Sequence, residues 1–203
     1  MTDTYFDVIR PATTSFVMTG RTELIRHEDR KRVQWKNGAG VTEEIAVDDA
    51  PMSRWRVSIA DLGDAATEFS AFEGRSRVFT VIGEWGVTFE WIDGRTTIKP
   101  LQPFSFDGEK TPTCLPEGAT SAFNVMVDRH TTTASVRVHD LLEAAVHTDP
   151  QAVTVVYVHH GSASVGSHIA ATGECIATRL ESIEIHGAGT VLIVEILFLP
   201  DPA

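Results

Sequence analysis

The chain has 203 residues, of which 42% are apolar and 22% charged, and its formal net charge is −11. This length and composition allow a substantial buried core, either in one domain or in two small ones in contact. The acidic balance argues against a nucleic-acid partner, because affinity for phosphates depends on clustered lysine and arginine.

Neither end of the chain suggests export or membrane insertion. The first twenty residues lack the continuous apolar region of a secretory signal. The longest apolar stretch, Val191 to Leu199, is interrupted by Glu195 and is far shorter than the roughly 20 residues needed to cross a bilayer. Cys114 and Cys175 are too few to form a disulfide framework. We therefore expect a cytoplasmic protein with no membrane partner.

Short alternating runs predict β-strands along most of the chain. Examples are Trp55 to Ile59 and Phe123 to Val127, and turn residues separate such runs at Asp93-Gly94 and Asp107-Gly108. The best helical period, Asp140 to Val146, covers at most two turns. The sequence thus predicts an all-β fold with little helix.

A weak internal repeat predicts two similar halves. Val78 to Ile82, which precedes Gly86, resembles Val153 to Tyr157, which precedes Gly161, at a constant offset of 75. The short polar stretch from Arg129 to Thr133 is the natural boundary. We predict a first half over residues 1–130 and a smaller second half over residues 131–203, packed against each other.

Two glycine-containing segments do not fit nucleotide-binding motifs. Gly38 to Glu43 begins like a dinucleotide fingerprint, but Glu43 replaces its third glycine and no strong helix pattern follows. In Gly108 to Thr111 a glutamate, Glu109, separates the glycine from the lysine and would repel phosphate. We expect no nucleotide cofactor.

The distribution of histidines argues against a histidine-ligated metal. No histidine occurs from Glu28 to Arg129, so nearly all of the first half lacks an imidazole ligand. In the second half, His159 and His160 are adjacent and would point to opposite faces of a strand. We predict that the protein has neither a metal nor another cofactor.

Four motifs follow one another in the first half. They are Gln34 to Ala46 with its Trp-Lys-Asn-Gly run, Trp55 to Ala60, Phe69-Ser70 with Phe72 and Gly74 leading to Arg77, and Phe123 to Met126 with Arg129. In this order they resemble the motifs of the HutD/Ves family. Two positions depart from the pattern. Ala39 interrupts what is often a run of three glycines, and Ala122 stands where the family commonly has an aspartate. The second departure puts an acid-base role at that position in doubt.

The resemblance implies a bicupin, built from two fused cupin-like jelly-roll barrels and frequently dimeric. For the HutD branch it also implies an association with histidine catabolism. Formylglutamate or urocanate is the suspected ligand there. A homodimer and a small carboxylate ligand are therefore expected partners.

Strand alternation suggests which side chains line the pocket. Arg56 and Ser58 share one face of their strand, and Asn124 shares a face with Met126. An arginine fork binds a carboxylate through two parallel hydrogen bonds, which asparagine or serine can complete. We predict a ligand-binding site in the first half composed of Asn37, Thr42, Glu44, Arg56, Ser58, Arg77, Asn124 and Met126.

Several interpretations of these residues stay open. Arg56 and Arg77 could instead form structural ion pairs with Glu44, Glu73 or Asp61. The leading functional hypothesis is a non-enzymatic protein that binds a small carboxylated metabolite and modulates a catabolic pathway. The enzymatic alternative is a metal-independent isomerase or hydrolase with Glu44 as general base. A third possibility is an interaction protein whose barrel is only a scaffold.

Overall fold

The computed structural model of the protein describes residues 21–35, 40–50, 52–142 and 145–200. Within these ranges the only helical element is one 3-10 turn at His27–Asp29, which confirms the predicted all-β fold with little helix. No helix within the described ranges is long and apolar enough to cross a membrane. The strands are β1 (Thr22–Ile25), β2 (Lys31–Gln34), β3 (Val41–Val47), β4 (Trp55–Gly63), β5 (Thr67–Glu68), β6 (Arg75–Val81), β7 (Val87–Trp91), β8 (Gly94–Ile98), β9 (Phe104–Asp107), β10 (Thr113–Pro116), β11 (Thr120–Asp128), β12 (Thr132–Leu141), β13 (Val146–His147), β14 (Val153–Val165), β15 (His168–Ala171), β16 (Cys175–Arg179) and β17 (Glu184–Phe198).

The middle layer of the fold is a six-stranded antiparallel sheet in the order β2-β3-β4-β11-β6-β9. In its register, Met126 on β11 lies opposite Arg56 on β4 and Arg77 on β6. Two residues away along β11, Asn124 lies opposite Ser58 on β4. Because side chains alternate along each strand, all five project from one face of this sheet. We call it the inner face.

A four-stranded sheet in the order β5-β10-β7-β8 covers the inner face. Phe89 on β7 packs against Phe79 on β6, with ring centroids 4.9 Å apart. Ala60, Val81 and Ala122 from the six-stranded sheet belong to the same buried cluster. The side chains predicted to bind the ligand therefore project into an aromatic layer between two sheets.

A seven-stranded sheet covers the opposite, outer face of the middle layer. Its main path is β1-β16-β14-β17-β12, with β15 paired to β14 and β13 to β17. Trp55 and Phe123 from the outer face share a buried cluster with Val155 and Leu192 of this sheet. A second aliphatic cluster fills the far side of the seven-stranded sheet, where Val156 and Ile193 pack. The fold thus has three β layers.

Contacts between residues that are distant in sequence connect the two predicted halves, in addition to the chain itself at residue 130. Strand β1, from the start of the described chain, pairs with β16 rather than with the six-stranded sheet. Arg30 donates a hydrogen bond to the carbonyl oxygen of Gly173. The boundary between residues 130 and 131 stays a prediction. The weak helical period does not produce a helix in the described residues, since Leu141 ends β12 and Val146 begins β13.

Candidate functional site

Buried polar side chains meet near the centre of the inner face. Arg77 and Asn124 are each 7% exposed, and Ser58 is 2% exposed. Glu44 on β3 lies opposite Ser58, which extends the same face. We call Glu44, Arg56, Ser58, Arg77 and Asn124 the arginine site. Thr42 and Met126 share its face, whereas Asn37 lies outside the described residues. Ligand binding by these residues stays a prediction.

Arg77 is enclosed by aromatic rings and has one hydrogen-bond partner on β11. Its Nη2 atom donates to Oδ1 of Asn124 at 3.3 Å. Its guanidinium carbon lies 4.7 Å from the ring centroid of Phe69 and 4.9 Å from that of Phe106. Such rings attract the cation but do not neutralise it. Burial, and secondarily the nearby Arg56, lower the pKa of Arg77 to about 9. Among the described residues, no carboxylate pairs with the positive charge of Arg77.

Arg56 is the least engaged member of the site. Within the described residues, no hydrogen bond or ion pair involves its guanidinium group. Burial lowers the pKa of Arg56, the negative charge of Glu44 acts in the opposite direction, and Arg75 lowers it further. The planar fork of Arg56 is thus available for a partner that the described residues do not supply.

Two other atoms of the site are buried without a partner in the described chain. They are Oε1 of Glu44 and Nε of Arg77. Buried polar atoms are satisfied in the large majority of cases, and each exception calls for a physical explanation. Unpaired donors and acceptors on one face are the groups that a small polar ligand would satisfy.

The described geometry does not supply the alternative ion pairs of Arg56 and Arg77. Asp61 lies opposite Val41 and Ser121, on the outer face of the sheet. Glu73 is exposed in the turn before β6. Glu44 attracts Arg56 electrostatically but, in this part of the chain, forms no ion pair with it. Arg77 bonds to the neutral amide of Asn124 instead.

Thr42 has a structural partner next to the site. Its Oγ1 accepts a hydrogen bond from Nε1 of Trp35 at 2.8 Å, and the backbone N–H of Trp35 donates to Gly40 O at 2.9 Å. A Cβ on Gly40 would lie 2.5 Å from the carbonyl oxygen of Asp61. Glycine is required at residue 40 because the neighbouring strand approaches closely. Thr42 therefore holds the indole of Trp35 next to β3.

Sequence reasoning missed three side chains around Arg77. Phe69 and Phe106 contact its guanidinium group, and the charge of Arg77 acts on Cys114. The alternating run from Phe104 to Phe106 was an available signal for Phe106. Burial raises the pKa of the Cys114 thiol to about 12, so this cysteine is protonated at neutral pH and is a poor nucleophile. The described residues contain no group of three or more His, Cys, Asp or Glu placed to bind a metal ion.

Relatives share both the sequence and the fold. Protein Ves from Escherichia fergusonii is 34% identical over 175 residues, which are 82% of this chain and 89% of that protein. An uncharacterized 21.2 kDa protein in the hutC 3' region of Pseudomonas putida is 37% identical over 110 residues. That match covers 51% of this chain and 57% of that protein.

Solved structures extend this similarity. HutD from Pseudomonas fluorescens SBW25 superposes with a TM-score of 0.77 at 28% identity, over 88% of this chain and 100% of that one. A cupin 2 conserved barrel domain protein from Leptotrichia buccalis matches with a TM-score of 0.55 at 12% identity, over 82% and 92% of the two chains. At 12% identity, the similarity to the Leptotrichia buccalis protein shows only that the fold is cupin-like. The HutD family model matches residues 27–193, and this chain therefore belongs to the HutD family.

Proposed function

We propose that the protein binds a small carboxylated metabolite at the arginine site without transforming it. The observation that carries this proposal is the pair of neighbouring guanidinium groups on the inner face: Arg77 is buried, Arg56 is partly buried, and the charge of Glu44 acts on Arg56. A buried charge without a partner is costly, and an anionic ligand would remove that cost. The site is thus complementary to a negatively charged group.

The neighbouring side chains favour a carboxylate over a simple anion. Arg56 offers two parallel N–H donors, the geometry that a carboxylate accepts. Ser58 supplies a neutral hydroxyl on the same face, and Oε1 of Glu44 can accept a hydrogen bond from a donor elsewhere on the ligand. The ligand would then carry both a carboxylate and an N–H or O–H group.

Relatives suggest a biological setting. The Pseudomonas putida relative is named for its place in the hutC 3' region, and the Pseudomonas fluorescens HutD structure is described for a formate condition. Formylglutamate and urocanate combine a carboxylate with an N–H donor. We propose that the protein binds one of them and so modulates histidine catabolism. The proposal includes a cytoplasmic homodimer whose three layers form two fused cupin barrels.

Glu44 supports a second candidate function. Its buried, unpartnered Oε1 could act as a general base in a metal-independent isomerase or hydrolase, with Arg56 stabilising negative charge. Such chemistry usually needs a matching acid, and Ala122 replaces the carboxylate that resembling sequences often carry. Cys114 stays protonated and is poorly suited to the role of nucleophile. Binding without turnover is therefore the better-supported function.

A thermal-shift screen followed by calorimetry tests the proposal. The panel is formate, urocanate and N-formylglutamate, with N-formylglutamine as the analogue in which an amide replaces the side-chain carboxylate. A true ligand stabilises the protein by about 2.7 kcal/mol at a hundredfold excess over Kd. We expect saturable binding and unchanged ligand after overnight incubation. Product formation that Glu44→Gln abolishes would favour the enzymatic alternative, and the absence of any stabilisation would overturn carboxylate binding.

A further inference from the structure

A concave site lies on the other side of the middle sheet from the arginine site. It is a cleft of about 320 Å³ between the outer face of the six-stranded sheet and the seven-stranded sheet. Its volume is at the lower end of the range for small-molecule pockets, about 300 to 1,000 Å³. Strand alternation separates it from the arginine site, since Ile59 and Asp61 line the cleft while Ser58 projects from the opposite face.

The floor of this cleft combines aliphatic side chains with a carboxylate. Val41, Ile59 and Ile82 supply the apolar surface. Asp61 is exposed beside them, and its Oδ1 accepts one hydrogen bond, from the backbone N–H of Gly63 at 3.3 Å. A carboxylate has about four acceptor positions, so Asp61 can bind an ammonium group.

A positively charged side chain lies at the rim of the cleft. Arg32 lines the cleft with 67% of its side chain exposed, and its Nε lies 3.5 Å from Oε1 of Glu43. Its terminal N–H groups can therefore receive a second carboxylate. The cleft offers an anionic group, a cationic group and an apolar floor.

The far wall is rigid and carries a hydroxyl donor. The ring of Tyr157 packs against Phe123 with centroids 5.2 Å apart. Burial raises the pKa of Tyr157 to about 12, which keeps its hydroxyl protonated at neutral pH. Arg30, with 1% of its side chain exposed, bonds to the carbonyl of Gly173 and lies 3.4 Å from Oε2 of Glu43. These contacts fix the wall before any ligand arrives.

We propose that this cleft binds a zwitterionic α-amino acid with an apolar side chain. Asp61 binds the ammonium group, Arg32 binds the carboxylate, and the side chain lies on Val41, Ile59 and Ile82. Tyr157 donates a further hydrogen bond to the ligand. The site is independent of the carboxylate-binding function proposed above, because it uses the other face of the sheet.

Titration calorimetry of the full chain with L-phenylalanine and L-leucine tests this proposal. We expect saturable binding that Asp61→Asn weakens at least tenfold, since a charge-assisted hydrogen bond to the ammonium group is lost. Tyr157→Phe should weaken it several-fold while preserving the ring packing with Phe123. Asp64→Asn, three residues away on the exposed turn after β4, is the matched control and should leave affinity unchanged.

Arg56→Lys locates the bound amino acid. Affinity for L-phenylalanine should not change in this variant, whereas affinity for a carboxylate at the arginine site should fall. An equal loss of amino-acid binding in Arg56→Lys would place the ligand at the arginine site and overturn the cleft proposal. Failure of both amino acids to bind at millimolar concentration, or full retention of binding in Asp61→Asn, would also overturn it.

Discussion

Arg77 and Asn124 form a side-chain pair across β6 and β11, with Nη2 of the arginine 3.3 Å from Oδ1 of the asparagine. The amide nitrogen of Asn124 donates in turn to the carbonyl oxygen of Ala122 at 3.4 Å. Both ends of the amide are therefore engaged within the protein. Asn124 orients Arg77 without neutralising it, and in the proposed function its part is to position that guanidinium group.

Replacing Asn124 with aspartate, its charged isostere, should prevent anions from binding at the arginine site. In Asn124→Asp the new carboxylate would lie next to Arg77 as a built-in counterion. We expect affinity for the best carboxylate ligand to fall at least tenfold while the melting temperature stays equal or rises. Calorimetric titration and melting curves of the two proteins measure this. Unchanged affinity would mean that Arg77 does not contribute to the ligand site.

Arg56 should be the stronger determinant of affinity, because its fork has no partner in the described chain. Arg56→Lys keeps the charge but loses the two parallel donors, so binding should weaken by about tenfold or more with little change in stability. Isothermal titration with the same carboxylate provides the measurement. Equal affinity together with a lowered melting temperature would assign Arg56 a purely structural role.

Strand alternation made most of this arrangement predictable from the sequence. The runs around Arg56 and Asn124 have a period of two residues, and their side chains occupy the expected faces. A bulge between Glu44 and Ala46 breaks that rule, and Ile45 and Ala46 are both fully buried. Local pattern does not reveal where an extra residue enters a strand.

Long-range pairing was beyond the reach of the sequence. Strand β1 pairs with β16, about 150 residues later, and Arg30 bonds to Gly173 over a separation of 143. Neither segment contains a local signal for its partner. The cleft near Arg30 and Tyr157 depends on these contacts, so the sequence predicted that residues of the arginine site share a face but did not predict the cleft.

Metal removal should have no effect on the protein. The first half lacks histidine from residue 28 to residue 129, and the described residues contain no metal-binding group of three or more ligands. We expect elemental analysis to find less than stoichiometric iron, manganese or zinc, and chelators to leave the melting temperature unchanged. One metal ion per chain, lost together with stability on chelation, would contradict this prediction.

The three layers should unfold in one transition. The buried cluster around Trp55 and Leu192 contains residues from both halves, and β1 completes the sheet of the second half. A fragment over residues 134–203 would lack these partners and expose a core too small to be stable alone. Scanning calorimetry should therefore show a single peak. Two separated peaks, or a folded isolated fragment, would count against a shared core.

Asp48 should make a pH-dependent contribution to stability. Burial alone would raise the pKa of its carboxyl, but hydrogen bonds from Arg54 outweigh burial and lower it; Nε of Arg54 lies 2.6 Å from Oδ2. A lowered pKa stabilises the folded state at pH values above the unfolded-state pKa, which is near 3.8. This stabilisation is lost as the pH falls through the folded-state pKa. Asp48→Asn should thus reduce the free energy of unfolding by about 1 to 2 kcal/mol at pH 7 and by progressively less below about pH 4. Urea unfolding of both proteins across this range, with exposed Asp64→Asn as the control, measures the difference. A difference that stays constant down to pH 2 would show that the loss comes from packing and not from the charge of Asp48.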